Sequence, residues 1–121
     1  AKQGVHTMKK IFLIFAAAVV LSSFAFAGKF DLSKAVVEDY YAFLEQDGGD
    51  KIPIYDVPDG KVIFTVHTES FEVYLEKHTA EKNEAGYYWY YVRTWAYDKD
   101  GELIPGTPLG WVDGRYVKMY A

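Results

Sequence analysis

The hydrophobic rhythm of the chain changes twice. Positions 11 to 27 are almost unbroken apolar, 15 residues in 17. Further on, Val36, Val37, Tyr40, Tyr41, Phe43 and Leu44 fall within an arc of about 160° when successive residues are set about 100° apart. Glu38, Asp39, Glu45 and Gln46 lie outside that arc. The spacing predicts one amphipathic helix over residues 31–47. Asp31 or Ser33 would serve as its N-cap, and Gly48-Gly49 would end it by allowing positive φ. Such a stripe demands burial, either on the domain that follows or against a partner helix.

From Lys51 the period becomes two. Ile52 to Tyr55 reads as a short strand whose Pro53 suits an edge or a strand start. Val57-Pro58-Asp59-Gly60 is turn chemistry leading into a strand with Val62, Phe64 and Val66 on one face. Phe71, Val73 and Leu75 alternate with Glu72, Tyr74 and Glu76, and a polar loop is expected over residues 79–86. A long strand over 87–97 puts Tyr88, Tyr90 and Val92 on one face and Trp89, Tyr91 and Arg93 on the other. Asp98 to Gly101 predicts a hairpin onto Glu102-Leu103-Ile104, followed by a Pro105–Pro108 loop and short strands at 110–112 and 116–119. Five or six short strands in about 70 residues close best as a small barrel or two orthogonal sheets. The expected fold is mainly β, preceded by one amphipathic α-helix.

The apolar run at 11–27 follows Met8-Lys9-Lys10 and ends Ala25-Phe26-Ala27. A basic start, a short apolar stretch and small residues before the cut define a secretory signal peptide over residues 8–27. A membrane anchor fits less well, because the run is short of about 20 residues and carries Ser22-Ser23. Cleavage after Ala27 predicts an exported protein, periplasmic or secreted, without stable membrane insertion. The 94 residues from Gly28 onward keep 10 basic and all 17 acidic residues, a net charge of −7. That argues against nucleic acid or anionic lipid as partner. With no cysteine there are no disulfides and no thiolate chemistry. The same 94 residues hold all 11 Tyr, all 3 Trp and four Phe, more aromatic surface than so small a core readily absorbs.

Three motifs in order carry a family resemblance. They are Pro58-Asp59-Gly60-Lys61-Val62-Ile63, Trp89-Tyr90-Tyr91-Val92, and Gly110-Trp111-Val112-Asp113-Gly114-Arg115-Tyr116-Val117. Together they resemble the bacterial SH3 (SH3b) family, with its Pro-x-Gly turn, W-x-x-V strand and terminal G-[WY]-[VI]-x-x-x-[YL]-[VIL] signature. The resemblance covers about residues 51–119 and implies an SH3-like barrel over 51–121, with residues 28–50 as the N-terminal helix. It also implies that Tyr55, Trp89 and Tyr116 line a ligand groove, with Trp111 beside them. The long loop of eukaryotic SH3 domains is missing here. Asp113 stands where those domains place the groove proline, which weakens any carry-over of polyproline recognition. The hairpin at 95–108 is an insertion particular to this chain.

Candidate catalytic chemistry is sparse. His67 and His78 lack a paired carboxylate motif, and Asp98-Lys99-Asp100-Gly101-Glu102 brings its glycine too early for a calcium loop. No catalytic residue, metal site or cofactor is expected, and the chain is read as non-enzymatic. The aromatic set carries the remaining signal. Tyr88 and Tyr90 cannot share a face with Trp89 and Tyr91, so one face stays open unless the helix covers it. An open face would be a platform for peptide or glycan, with Tyr55, Trp89, Tyr91, Trp111 and Tyr116 as ligand-binding residues. The expected function is recognition of a peptidoglycan-derived peptide or glycan in the cell envelope. The alternative is an inhibitory or interaction subunit that binds an exported enzyme or toxin.

Overall fold

The computed structural model describes residues 30–120; the expected signal peptide at 8–27 lies outside the described residues. Seven antiparallel strands form one sheet: β1 (Val36–Glu45), β2 (Lys51–Tyr55), β3 (Val62–His67), β4 (Ser70–Lys82), β5 (Tyr88–Tyr97), β6 (Leu103–Asp113) and β7 (Val117–Lys118). Their order across the sheet is β3-β2-β6-β5-β4-β1-β7. Helical geometry among the described residues is confined to two three-residue 3₁₀ turns, Leu32–Lys34 and Gly114–Tyr116. No helix of the described residues is long and apolar enough to cross a membrane.

The helix expected over residues 31–47 is therefore a strand, and β1 belongs to the same sheet as the rest of the chain. It pairs with β4 along most of its length and with β7 at Phe43↔Lys118 and Leu44↔Val117. Two physical causes explain the misleading periodicity. Both faces of β1 carry apolar groups: Ala42 and Leu44 enter the core, while Tyr41 and Phe43 pack on Trp95. A bulge between Val37 and Tyr40, with Asp39 at φ 48°, then shifts the phase by a residue. Two-sided burial plus one slip imitates a helical stripe, whereas the Val and Tyr content favours a strand.

The period-two reading of the remaining chain holds, with adjustments. Val73 and Leu75 are buried from β4, Ile52 and Ile54 from β2, and Val92 and Val112 from β5 and β6. Of the predicted trio on β3, only Val66 is buried, while Val62 and Phe64 are exposed. The polar loop is shorter than expected because β4 runs on to Lys82. Conversely, the Pro105–Pro108 stretch lies inside β6 rather than in a loop. There side chains replace ladder bonds that the prolines forgo: Arg93 Nε donates to Gly106 O at 2.9 Å, and Thr107 N donates to Thr94 Oγ1 at 2.9 Å. Pro53 sits in an internal strand, but β2 pairs with β6 only through Tyr55↔Trp111, so its missing N–H goes unneeded.

Two carboxylates shape the hairpins. Asp56 Oδ1 accepts from Val57 N at 2.7 Å and Lys61 N at 2.9 Å in the β2–β3 turn. Asp98 Oδ1 accepts from Asp100 N at 2.8 Å and Glu102 N at 2.9 Å in the β5–β6 turn, the hairpin expected there.

Candidate ligand-binding site

The residues that carry the aromatic signal lie where β5 and β6 meet β2. Across β5–β6, Trp89 pairs with Asp113 and Tyr91 with Trp111; Trp111 pairs on its other side with Tyr55. Alternation along β5 sends Val92 into the main core and Trp89 and Tyr91 to the opposite face. The close approach of β2 to β6 depends on Gly110, held at φ 143°, where an added Cβ would lie 2.7 Å from Tyr55 O.

Four of the five predicted site residues are thus brought together. Tyr55 meets Trp89 edge-on with ring centroids 5.0 Å apart, and Tyr91 meets Trp111 at 5.4 Å. Lys77 Nζ stands 5.2 Å from the Tyr91 ring and 5.8 Å from the Trp111 ring, within cation–π reach of both. Tyr116 packs against the main core, with its phenol still close enough to act on that of Tyr55. Burial, followed by neighbouring Tyr116, Asp113 and Asp59, pushes the Tyr55 phenol above its ordinary pKa.

The face these rings form is covered, and not by a helix. Phe30 and Leu32 pack onto it, and Phe30 meets Trp89 edge-on at 6.5 Å. Trp89 and Trp111 are each only 4% exposed. Trp95 by contrast lies elsewhere, its Nε1 donating to Val73 O at 2.7 Å. Among the described residues, Trp89 Nε1 is the buried side-chain polar atom that has no hydrogen-bond partner. A buried N–H without an acceptor costs about 1–3 kcal/mol, so its retention calls for an explanation.

Trp89 also borders a cleft of about 350 Å³ that continues past Phe30 to Lys82, Asn83, Asp113 and Arg115. Its walls are fixed by one buried carboxylate. Asp113 Oδ1 accepts from Arg115 N at 2.9 Å; Oδ2 accepts from Arg115 Nε at 3.1 Å and Asn83 Nδ2 at 3.2 Å. Asn83 in turn holds its own loop, its Oδ1 accepting from Ala85 N at 3.1 Å and Tyr87 N at 3.0 Å. Asp113 thus positions Arg115 and Asn83, and the exposed Arg115 and Lys82 also line the cleft, with the Lys82 ammonium over the Tyr88 ring at 5.3 Å and the Arg115 guanidinium 5.9 Å from the Tyr87 ring. Periodicity carried no sign of Lys82, Asn83 and Arg115, because strand ends and turn residues lack a period.

The histidines have structural surroundings. His67 is exposed on β3. His78 Nδ1 lies 2.6 Å from Thr79 O, its Nε2 lies 3.3 Å from Glu38 Oε2, and Tyr88 stacks at 4.4 Å. Among the described residues there is no cluster of three or more metal-ligating side chains. A second aromatic group, Tyr41, Phe43, Tyr74, Trp95 and Tyr120, gathers around β1, also on the face turned away from the main core; its two β1 members escape a helical reading of that segment. No family model matches the chain, and no curated protein or solved structure matches it either.

Proposed function

We propose that the chain is an exported, non-enzymatic binding module of the SH3b kind that recognises a peptidoglycan-derived peptide or glycan in the cell envelope. One observation carries this: the buried Trp89 indole keeps an unsatisfied donor beside a cleft with fixed polar walls. A ligand carbonyl or carboxylate would accept from Trp89 Nε1 and pair with Arg115, while ligand apolar groups lie against Tyr55, Trp89 and Trp111. Glu84 at the cleft edge would draw the ammonium of a diamino acid, in keeping with the acidic chain. The apo protein would hold no cofactor and no metal.

Two features support an SH3-like barrel. The Pro58–Gly60 turn falls in the β2–β3 hairpin, the W-x-x-V motif opens β5, and the Gly110 signature closes β6 before a 3₁₀ turn. Further, Leu44 of β1 and Ile54 of β2, four strands apart in the order, are fully buried in one cluster. With no helical layer over the described sheet, such burial favours a sheet that curls upon itself.

The test is a titration of isotopically labelled protein with soluble muropeptides. Movement of the Trp89 indole N–H and the Arg115 Nε–H resonances is expected; unmoved resonances at millimolar ligand reject the proposal. A second reading, docking on an exported enzyme or toxin, is favoured by β3, which ends the sheet with Val62, Ile63 and Phe64 exposed. Phe64→Lys would abolish that docking and leave the muropeptide shifts intact.

A further inference from the structure

We propose that the Phe30-Asp31-Leu32 segment is a built-in occupant of the aromatic basin, holding in cis the place that an extended peptide of apolar-x-apolar pattern takes in trans. This rests on the basin being the binding site. The segment is ordered by its own chemistry: Asp31 Oδ1 accepts from Ser33 N at 3.1 Å and from Ser33 Oγ at 2.6 Å, which closes the 3₁₀ turn and sets Phe30 and Leu32 toward the rings. Phe30 is 6% exposed and packed edge-on against Trp89, so the basin is filled rather than open.

The fit is good in shape and poor in polarity. The Phe30 ring packs edge-on against Trp89 but offers no acceptor, and the buried Nε1–H stays unpartnered. A core designed only for stability would match that donor or dispense with it. A peptide that replaces the Phe30 side chain and adds a backbone carbonyl at Trp89 makes every contact the cis segment makes, plus the missing hydrogen bond. The cis segment has its tethering as compensation, since a short connection to β1 gives it a millimolar effective concentration. Weak trans ligands are thereby excluded, and a ligand must bring the acceptor to compete. The segment is a selectivity filter as well as a plug.

The experiment uses the chain as exported and an acetylated, amidated peptide with the sequence of residues 30–34. Phe30→Ala should leave the fold intact by circular dichroism and expose Trp89 to acrylamide quenching. It should also bind the peptide at millimolar concentration, moving the Trp89 indole N–H resonance, and at least about tenfold tighter than the wild type. Equal affinity in the two proteins, or no binding to F30A, overturns the proposal. Should F30A fail to fold, hydrogen exchange at the wild-type Trp89 indole decides: exchange far faster than global unfolding supports a segment that opens locally, and exchange only at the global rate overturns it. Muropeptide titration separates the two proposals. Peptide binding to F30A without muropeptide binding retains the plug and removes the envelope ligand. Muropeptide binding of equal strength to both proteins retains the ligand and removes the plug.

Discussion

Tyr74 Oη donates a 2.6 Å hydrogen bond to Asp39 Oδ1, and Asp39 is the residue at φ 48° on which β1 bulges. The bond ties the irregular point of β1 to the strand beside it. It also raises the Tyr74 phenol to about 12, since ionisation would lose the bond and place two anions together; burial adds to the shift. The raised value means the contribution is complete below the ordinary pKa of 10.0 and disappears as pH climbs through about 12. A tyrosine titration resolved residue by residue in NMR should place the Tyr74 phenol well above its ordinary value in the wild type. Asp39→Gly keeps the positive φ but removes the acceptor, and should return that phenol toward its ordinary value.

The two descriptions of residues 36–45 make opposite demands on Val37 and Leu44. Seven residues apart, they share one face of a helix, so both truncations should cost alike if the segment were helical. In the strand Val37 is 79% exposed and Leu44 is 0% exposed. Leu44→Ala should therefore lower stability by about 2–5 kcal/mol, and Val37→Ala by less than about 0.5 kcal/mol. Chemical denaturation of the two variants measures the difference.

That contrast marks how far the sequence could be read. Where one face of a strand is wet, as at Glu72-Val73-Tyr74-Leu75, alternation names the core residues correctly. Where both faces find apolar neighbours, as at Tyr41-Ala42-Phe43-Leu44, alternation disappears and a helical arc can be drawn through the residues. The site divides similarly. Trp89, Tyr91, Trp111 and Tyr55 were legible because strand period and motif order put them side by side. Their cover was not, because Phe30 and Leu32 reach them from a segment with no repeat of its own. Nor was the Asp113–Asn83 bond, which joins residues 30 apart through tertiary folding alone.

Gly110 couples stability to the site. Gly110→Ala puts a methyl 2.7 Å from Tyr55 O and 2.8 Å from Ile54 Cγ2, on a backbone at φ 143°. Strain at such a position costs about 1–3 kcal/mol before any clash is counted. The expected result is a loss of about 3 kcal/mol or more in denaturant unfolding. Because β2 must retreat from β6, the Tyr55↔Trp111 pairing should weaken too, seen as increased solvent exposure of Trp111 fluorescence.

Asn83 is the residue whose loss should separate the cleft from the core. Its side chain accepts from Ala85 N and Tyr87 N and donates to Asp113 Oδ2, and it is not a member of the main core that holds Val92 and Val112. Asn83→Ala removes three hydrogen bonds at a partly exposed site, where water can replace some of them. The stability cost should be modest, about 1–2 kcal/mol. The local effect should be larger: amide exchange at Ala85 and Tyr87 should quicken well beyond the change in the core strands. Arg115, left as the remaining side-chain partner of Asp113, would keep its 3.1 Å contact, so muropeptide binding should weaken through loop disorder rather than vanish. Uniform acceleration of exchange across β5 and β6 would show instead that the loop and the sheet open together, and that the cleft wall is part of the global folding unit.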